Sequence, residues 1–122
     1  MFDIMEFIKL LRQELGMTLY PMIFPASAPV ECSAVTFSDI LGSKLDVKNM
    51  EASFYCRADK VETALNNANK LIKRLDRETS LIFGDTQILL ILAVTPQGKF
   101  MGTDENGNSV FLAKFKIVTC DK

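Results

Sequence analysis

Met50-Glu51-Ala52-Ser53-Phe54-Tyr55-Cys56-Arg57-Ala58-Asp59-Lys60-Val61-Glu62-Thr63-Ala64-Leu65 carries two hydrophobic periods in succession. Its first half alternates. Met50, Ala52, Phe54 and Cys56 share one face, while Glu51, Ser53, Tyr55 and Arg57 share the other, the period of a half-buried strand. From residue 61 the period changes. Val61, Ala64, Leu65, Ala68, Leu71, Ile72 and Leu75 recur at helical spacing, and Asp59 and Glu62 stand before them in capping-box spacing. A strand that passes directly into an amphipathic helix implies helices packed on a sheet.

Upstream, a first helix is signalled by Asp3 as N-cap, Glu6 three residues on, and Ile4, Phe7, Ile8, Leu11 and Leu15 at helical spacing, with Gly16 as its stop. Phe2, Met5 and Leu10 fall outside that stripe; they are either packed by flanking chain or offered to a partner. Residues 17–30 cannot be a helix, because Pro21, Pro25 and Pro29 would each remove a helical hydrogen bond. The stretch is nonetheless apolar, with Leu19, Tyr20, Met22, Ile23 and Phe24, and reads as an extended arm or at most an edge strand. A short strand is expected over 32–37 and a polar loop over 38–49, containing Gly42.

Downstream, residues 86–95 form a β-rich apolar run. It suits a central strand covered on both faces, or covered by helices on one face and by a partner on the other. Residues 78–85, like 38–49, are a candidate flexible link. Pro96-Gln97-Gly98 reads as a turn, 99–103 as a short strand, and Asp104-Glu105-Asn106-Gly107-Asn108 as a hairpin turn in which Asn-Gly supplies positive φ. A closing strand over 109–119 sends Val110 and Leu112 to one side and Phe111, Ala113, Phe115 and Ile117 to the other. The expectation is one α+β domain over 1–122, in the order α-β-β-α-β-β-β. Two helices lie on one face of an antiparallel or mixed sheet of about four to five strands.

Composition bounds the chemistry. The chain has 122 residues, 48% apolar and 24% charged, which is a globular composition. Fourteen basic and 15 acidic residues leave a net charge of −1, without the basic excess of a generic nucleic-acid binder. There is no histidine, so Ser-His, Cys-His and His-metal sites are excluded. Cys32, Cys56 and Cys120 have no metal-ligand spacing and read as reduced, buried thiols of a cytosolic protein. The acids Asp3 and Glu6 do not suit a signal-peptide leader, and no apolar run reaches the roughly 18 residues of a membrane span. Asp39, Asp46, Asp85, Asp104 and Glu105 sit in expected loops and turns, where carboxylates serve mainly as solvated turn formers. No catalytic, metal or cofactor-binding residue is expected.

Two features point instead to association. Lys70, Lys73, Arg74 and Arg77 project to one side of the second helix, and the pairs Lys70–Arg74 and Lys73–Arg77 repel at i, i+4. This is either a solvated basic face or a surface for an acidic partner; no aromatic is interleaved to serve nucleic acid. Apolar residues outside the core stripes, namely Phe2, Met5, Leu10, Leu19, Tyr20, Met22, Ile23 and Phe24, exceed what a small core needs and mark an interface.

The passage Phe54-Tyr55-Cys56-Arg57-Ala58-Asp59, with Ala64 and Leu75 beyond it, resembles a known family pattern. So does the ending Pro96-Gln97-Gly98-Lys99-Phe100-Met101-Gly102-Thr103-Asp104-Glu105-Asn106-Gly107 with Val110-Phe111-Leu112-Ala113-Lys114-Phe115. Together they resemble the small phage minor capsid proteins, tail terminators of long-tailed phages and prophages. Gly102, Asp104, Glu105, Asn106 and Gly107 form the family-motif hairpin, and Thr103 stands where many relatives carry Arg. The resemblance implies a structural virion protein, not an enzyme. It would act at the head-proximal end of the tail, as a ring, typically of six copies, that stops tube polymerisation and joins the head. Its implied partners are further copies of itself, the tube protein and head-completion proteins. A different class, a small bacterial ligand- or nucleic-acid-binding α+β domain, remains the alternative.

Overall fold

The computed structural model describes residues 3–39 and 47–121. The elements run α1 (Ile4–Leu15), β1 (Leu19–Pro21), β2 (Cys32–Asp39), β3 (Val47–Ala58), α2 (Val61–Leu75), β4 (Ile82–Phe83), β5 (Thr86–Ala93), β6 (Lys99–Thr103) and β7 (Ser109–Asp121). The α+β expectation holds. Among the described residues the sheet has seven strands rather than four or five, in the order β1-β2-β3-β7-β5-β4, with β6 also on β7. The additional strands, β1 and β4, are three and two residues long. A period-2 pattern needs more residues than that to declare itself. The sheet is mixed because β1 runs parallel to β2; the other pairings are antiparallel.

The 13-residue β7 organises the molecule. One of its edges pairs with β3 from Ser109 to Cys120. Its other edge is shared end to end, by β6 against its first half and by β5 against its second. Thus β5 is not the central strand; β3 and β7 are. Between β5 and β6 the chain steps out over 94–98. Gly98 there lies so close to α2 that an added Cβ would sit 2.9 Å from the Ala68 Cβ. Its N–H donates to Asn69 Oδ1 at 2.8 Å.

The 50–65 passage folds as its periods require. Ala52, Phe54, Cys56 and Ala58 of β3 are buried beneath the helices, together with Phe111, Ala113, Phe115 and Ile117 of β7 and Ala64, Ala68, Leu71 and Leu75 of α2. Phe54 meets Phe115 edge to face at 5.5 Å and Phe7 meets Phe83 in the same way at 5.5 Å, arrangements that add about 0.5–1.5 kcal/mol per pair beyond burial.

Helix α1 is capped as read. Asp3 Oδ1 accepts from the Glu6 N–H at 3.1 Å, and Gly16 closes the helix at φ 63°. Helix α2 departs from expectation at both ends. It starts after Lys60, whose side chain makes no cap bond, so Asp59 lies one residue too early to act as N-cap. Val61 in its first turn is exposed, not core. The helix ends at Leu75, so Arg77 is beyond it, at φ 68°.

The arm is partly an edge strand, and Leu19, read as surplus, is fully buried. The polar loop is shorter than expected: 38–39 belong to β2 and 47–49 to β3, while 40–46 lie outside the described residues. The link 78–85 is stitched to β5, because the Ile91 N–H donates to Glu78 O and the Ile88 N–H to Leu81 O, and because it contains β4.

Candidate functional site

Helix α2 bears on the helical side of the sheet, as it contacts β3, β7 and β5. The residues singled out for interaction fall into four groups there and around the opposite face.

The basic group divides. Lys70 and Lys73 are exposed, with no ion-pair partner among the described residues. They flank an open hollow of about 420 Å³ whose other lining includes Glu31, Asn66 and Asn67. Arg74 is engaged elsewhere. Its guanidinium grips Glu14 of α1, with Nη2 at 2.7 Å and Nε at 2.9 and 3.0 Å, and reaches Glu78 at 3.4 Å. The hydrogen bonds from Arg74 hold the Glu14 carboxyl below its ordinary range and raise Arg74 in return. Arg74 therefore ties the two helices together and relieves the like-charge crowding read from the sequence. Arg77 is exposed on the turn after α2, its backbone N–H bonded to Ile91 O.

The arm group is held by Arg57. That side chain ends the alternating face of β3 opposite the helices. Its Nε donates to Val30 O at 3.1 Å, its Nη2 donates to Pro29 O at 3.0 Å, and its guanidinium lies 4.5 Å over the Phe24 ring. The arm so held lies over the β2–β3 end of this face, where Cys32 and Ala34 are buried although they point away from the helices. Sequence reading assigned Arg57 only to an outer face; the carbonyls it serves lie 27 and 28 residues away. Tyr20 is half-buried with Arg12 near its ring at 5.9 Å, and Phe24 is half-buried beneath Arg57. Met22 and Ile23 protrude, 72% and 71% exposed. On α1, Leu10 packs against the core and Met5 is exposed; Phe2 lies outside the described residues.

A third group was only half foreseen. On β5, Ile88, Ile91 and Ala93 face the helices, while Leu90 and Leu92, opposite Val118 and Lys116 of β7, face the other way. Val94 continues that row, its N–H bonded to Lys114 O. Leu92 and Val94 are 41% and 52% exposed. Of the two environments expected for this run, cover on both faces from within the chain is not found: helices lie on one face, and Leu92 and Val94 are exposed on the other.

The hairpin is organised by Asp104, whose Oδ2 also lies 3.9 Å from Arg57 Nη1. Asp104 Oδ1 accepts from the N–H groups of Asn106 and Asn108, both at 2.9 Å, and Oδ2 accepts from Asn108 Nδ2 at 3.1 Å. Gly102 and Gly107 take φ 114° and 81°, positions that suit glycine. The bonds from Asn108 and Asn106 hold Asp104 below the usual carboxylate range. Glu105 and Asn106 project at the tip, exposed.

The thiols make no disulfide. Burial pushes Cys56 up to about 12, and raises Cys32 despite Arg57 Nη2 at 3.4 Å from its sulfur. Such thiols are poor nucleophiles. Among the described residues, no three His, Cys, Asp or Glu side chains converge to hold a metal, and no helix is long and apolar enough to cross a membrane.

Residues 14–119 match a family model described as bacteriophage tail terminator protein. No curated protein matches the chain.

Proposed function

We propose that this chain, which belongs to the bacteriophage tail terminator family, assembles as a ring on the head-proximal end of the tail tube. There it stops further tube growth and presents the surface that head-completion proteins engage. The observation that carries this reading is the family match, which spans all seven strands but for the last residues of β7 and all of α2. The role is structural rather than enzymatic, and the chain is a virion component. A ring of six is the arrangement implied by the family resemblance.

The surfaces support the reading. A ring of identical subunits needs two different patches on each copy, and exposed apolar side chains gather in separate places on this chain. Lys70 and Lys73, together with Arg77, offer positive charge to an acidic partner on the tube or the head. Such rim charges steer encounter more than they add affinity. The Gly102–Gly107 hairpin, fixed by Asp104, presents Glu105 and Asn106 outward without needing to order on contact.

Gold labelling of a tagged chain on intact particles tests the location. Label confined to the junction of tail and head supports the proposal; label along the tube or at the distal tip overturns it.

A further inference from the structure

We infer that neighbouring copies pack head to tail, with Met22 and Ile23 of one copy seated on the row Leu90, Leu92 and Val94 of the next. This rests on the ring proposed above and assigns its two faces.

The two patches lie on opposite flanks. The sheet order β1-β2-β3-β7-β5-β4 places β1 at one edge and β5 beside the other. Met22 and Ile23 follow β1 directly, in a fixed turn: Met22 has φ 71° and donates to Val35 O at 2.7 Å, and Ile23 donates to Pro21 O at 2.9 Å. They are the two most exposed large apolar side chains described. On the far flank, Leu92 and Val94 stand on the uncovered face, with Leu90 and Val118 beside them. Lys116, opposite Leu92, and Lys114, held by Glu51 at 3.4 Å, border the row as a polar rim.

The contact is made by side chains and not by continuation of the sheet. At the β1 edge Pro21 has no N–H to offer, and the Leu19 carbonyl is already bonded by Arg12 Nε at 2.8 Å and by its Nη2. Along β5 the backbone groups of Ile88 and Ile91 are taken by Leu81, Arg77 and Glu78. The occupant is a second copy for two reasons. The segment 17–30 that carries the knob contains no charged residue, so it needs an apolar seat. The row on β5 is such a seat, a different patch of the same chain on the other flank of the sheet, as a head-to-tail contact between copies requires two unlike patches.

The experiment is cross-linking on tails in a Cys120→Ser background, since Cys32 and Cys56 are buried. Ile23→Cys and Leu92→Cys are introduced together, the tails are treated with a short bifunctional maleimide, and the products are sized. A ladder of this chain up to the ring number is expected. A ring seen by microscopy that yields no ladder, or cross-links only to another tail protein, overturns the inference and leaves the ring reading standing. Absence of any ring overturns the ring reading itself. A second measurement does not require the double variant to assemble. Ile23→Glu and Leu92→Glu should each lower ring occupancy by about tenfold or more, the least expected from seating a carboxylate in an apolar contact. Mixed together, each retains the patch the other lost, so the two should form a 1:1 pair that neither forms alone; no pair in the mixture contradicts the inference.

Discussion

Arg57 lies with its guanidinium 4.5 Å over the ring of Phe24, and from that position it donates to two arm carbonyls, Pro29 and Val30. The arm is thus fastened to β3 by one side chain. Lysine has a single ammonium and cannot make this planar set of contacts. Arg57→Lys is expected to lower unfolding free energy by about 1–3 kcal/mol, combining a cation–π contact and lost hydrogen bonds. Amide exchange over 22–30 should quicken while that of β7 scales only with global stability. Unchanged exchange in the arm would show that Arg57 does not hold it.

Gly98 is specified by packing rather than by backbone conformation. An added Cβ would stand 2.9 Å from Ala68 Cβ and 3.0 Å from Leu65 Cδ1. Ala68 cannot swing aside, because its Cβ is fixed to the α2 backbone. Gly98→Ala should therefore destabilise by about 1–3 kcal/mol, the range for overpacking, read as a lower urea midpoint at unchanged slope.

The basic residues should separate into two classes. Lys70→Glu with Lys73→Glu leaves stability within about 0.5 kcal/mol of the original, as for other surface changes, but weakens attachment to tails. Arg74→Glu acts on the fold instead, since it sets a third carboxylate against Glu14 and Glu78 at the α1–α2 contact. The charge swap Glu14→Arg with Arg74→Glu should recover the part owed to Glu14, while repulsion from Glu78 remains. The pair is partly exposed, so the loss is modest, about 0.2–1 kcal/mol from the missing attraction. Equal effects of all three on attachment, with no effect of Arg74→Glu on stability, would contradict this division.

Asp104 gives the fold an acid dependence of known sign. Its folded carboxyl is held below the ordinary value by the bonds from Asn108 and Asn106, so the folded state favours the charged form. The stability this contributes is present above the unfolded value, about 4, and is lost as pH falls through the lower folded value. Glu14 adds a dependence of the same sign. Asp104→Asn should reduce stability at neutral pH and flatten its decline in urea titrations below about pH 4. An unchanged acid slope would mean that the hairpin does not depend on the charge.

The long elements were legible in the sequence because their periods are long: β3, β7, α1 and α2 were each read from seven or more residues of consistent pattern. The 104–108 hairpin was legible from Asn-Gly chemistry. What escaped was either too short or too distant. Strand β4 is two residues, and Leu19 is buried only because β1 pairs with β2, a register no local pattern encodes. Arg74 looked like one of four cations on a face until Glu14, sixty residues earlier, was found beside it. The uncovered row on β5 was half visible, since an apolar run of that length demands two covers and the sequence offered helices for only one.

The most direct measurement is tail length by electron microscopy in lysates of the phage or prophage with this gene deleted. Over-long tails of variable length without heads are expected, restored to uniform, headed particles by the intact chain. Tails of normal, uniform length joined to heads in the deletion would contradict it.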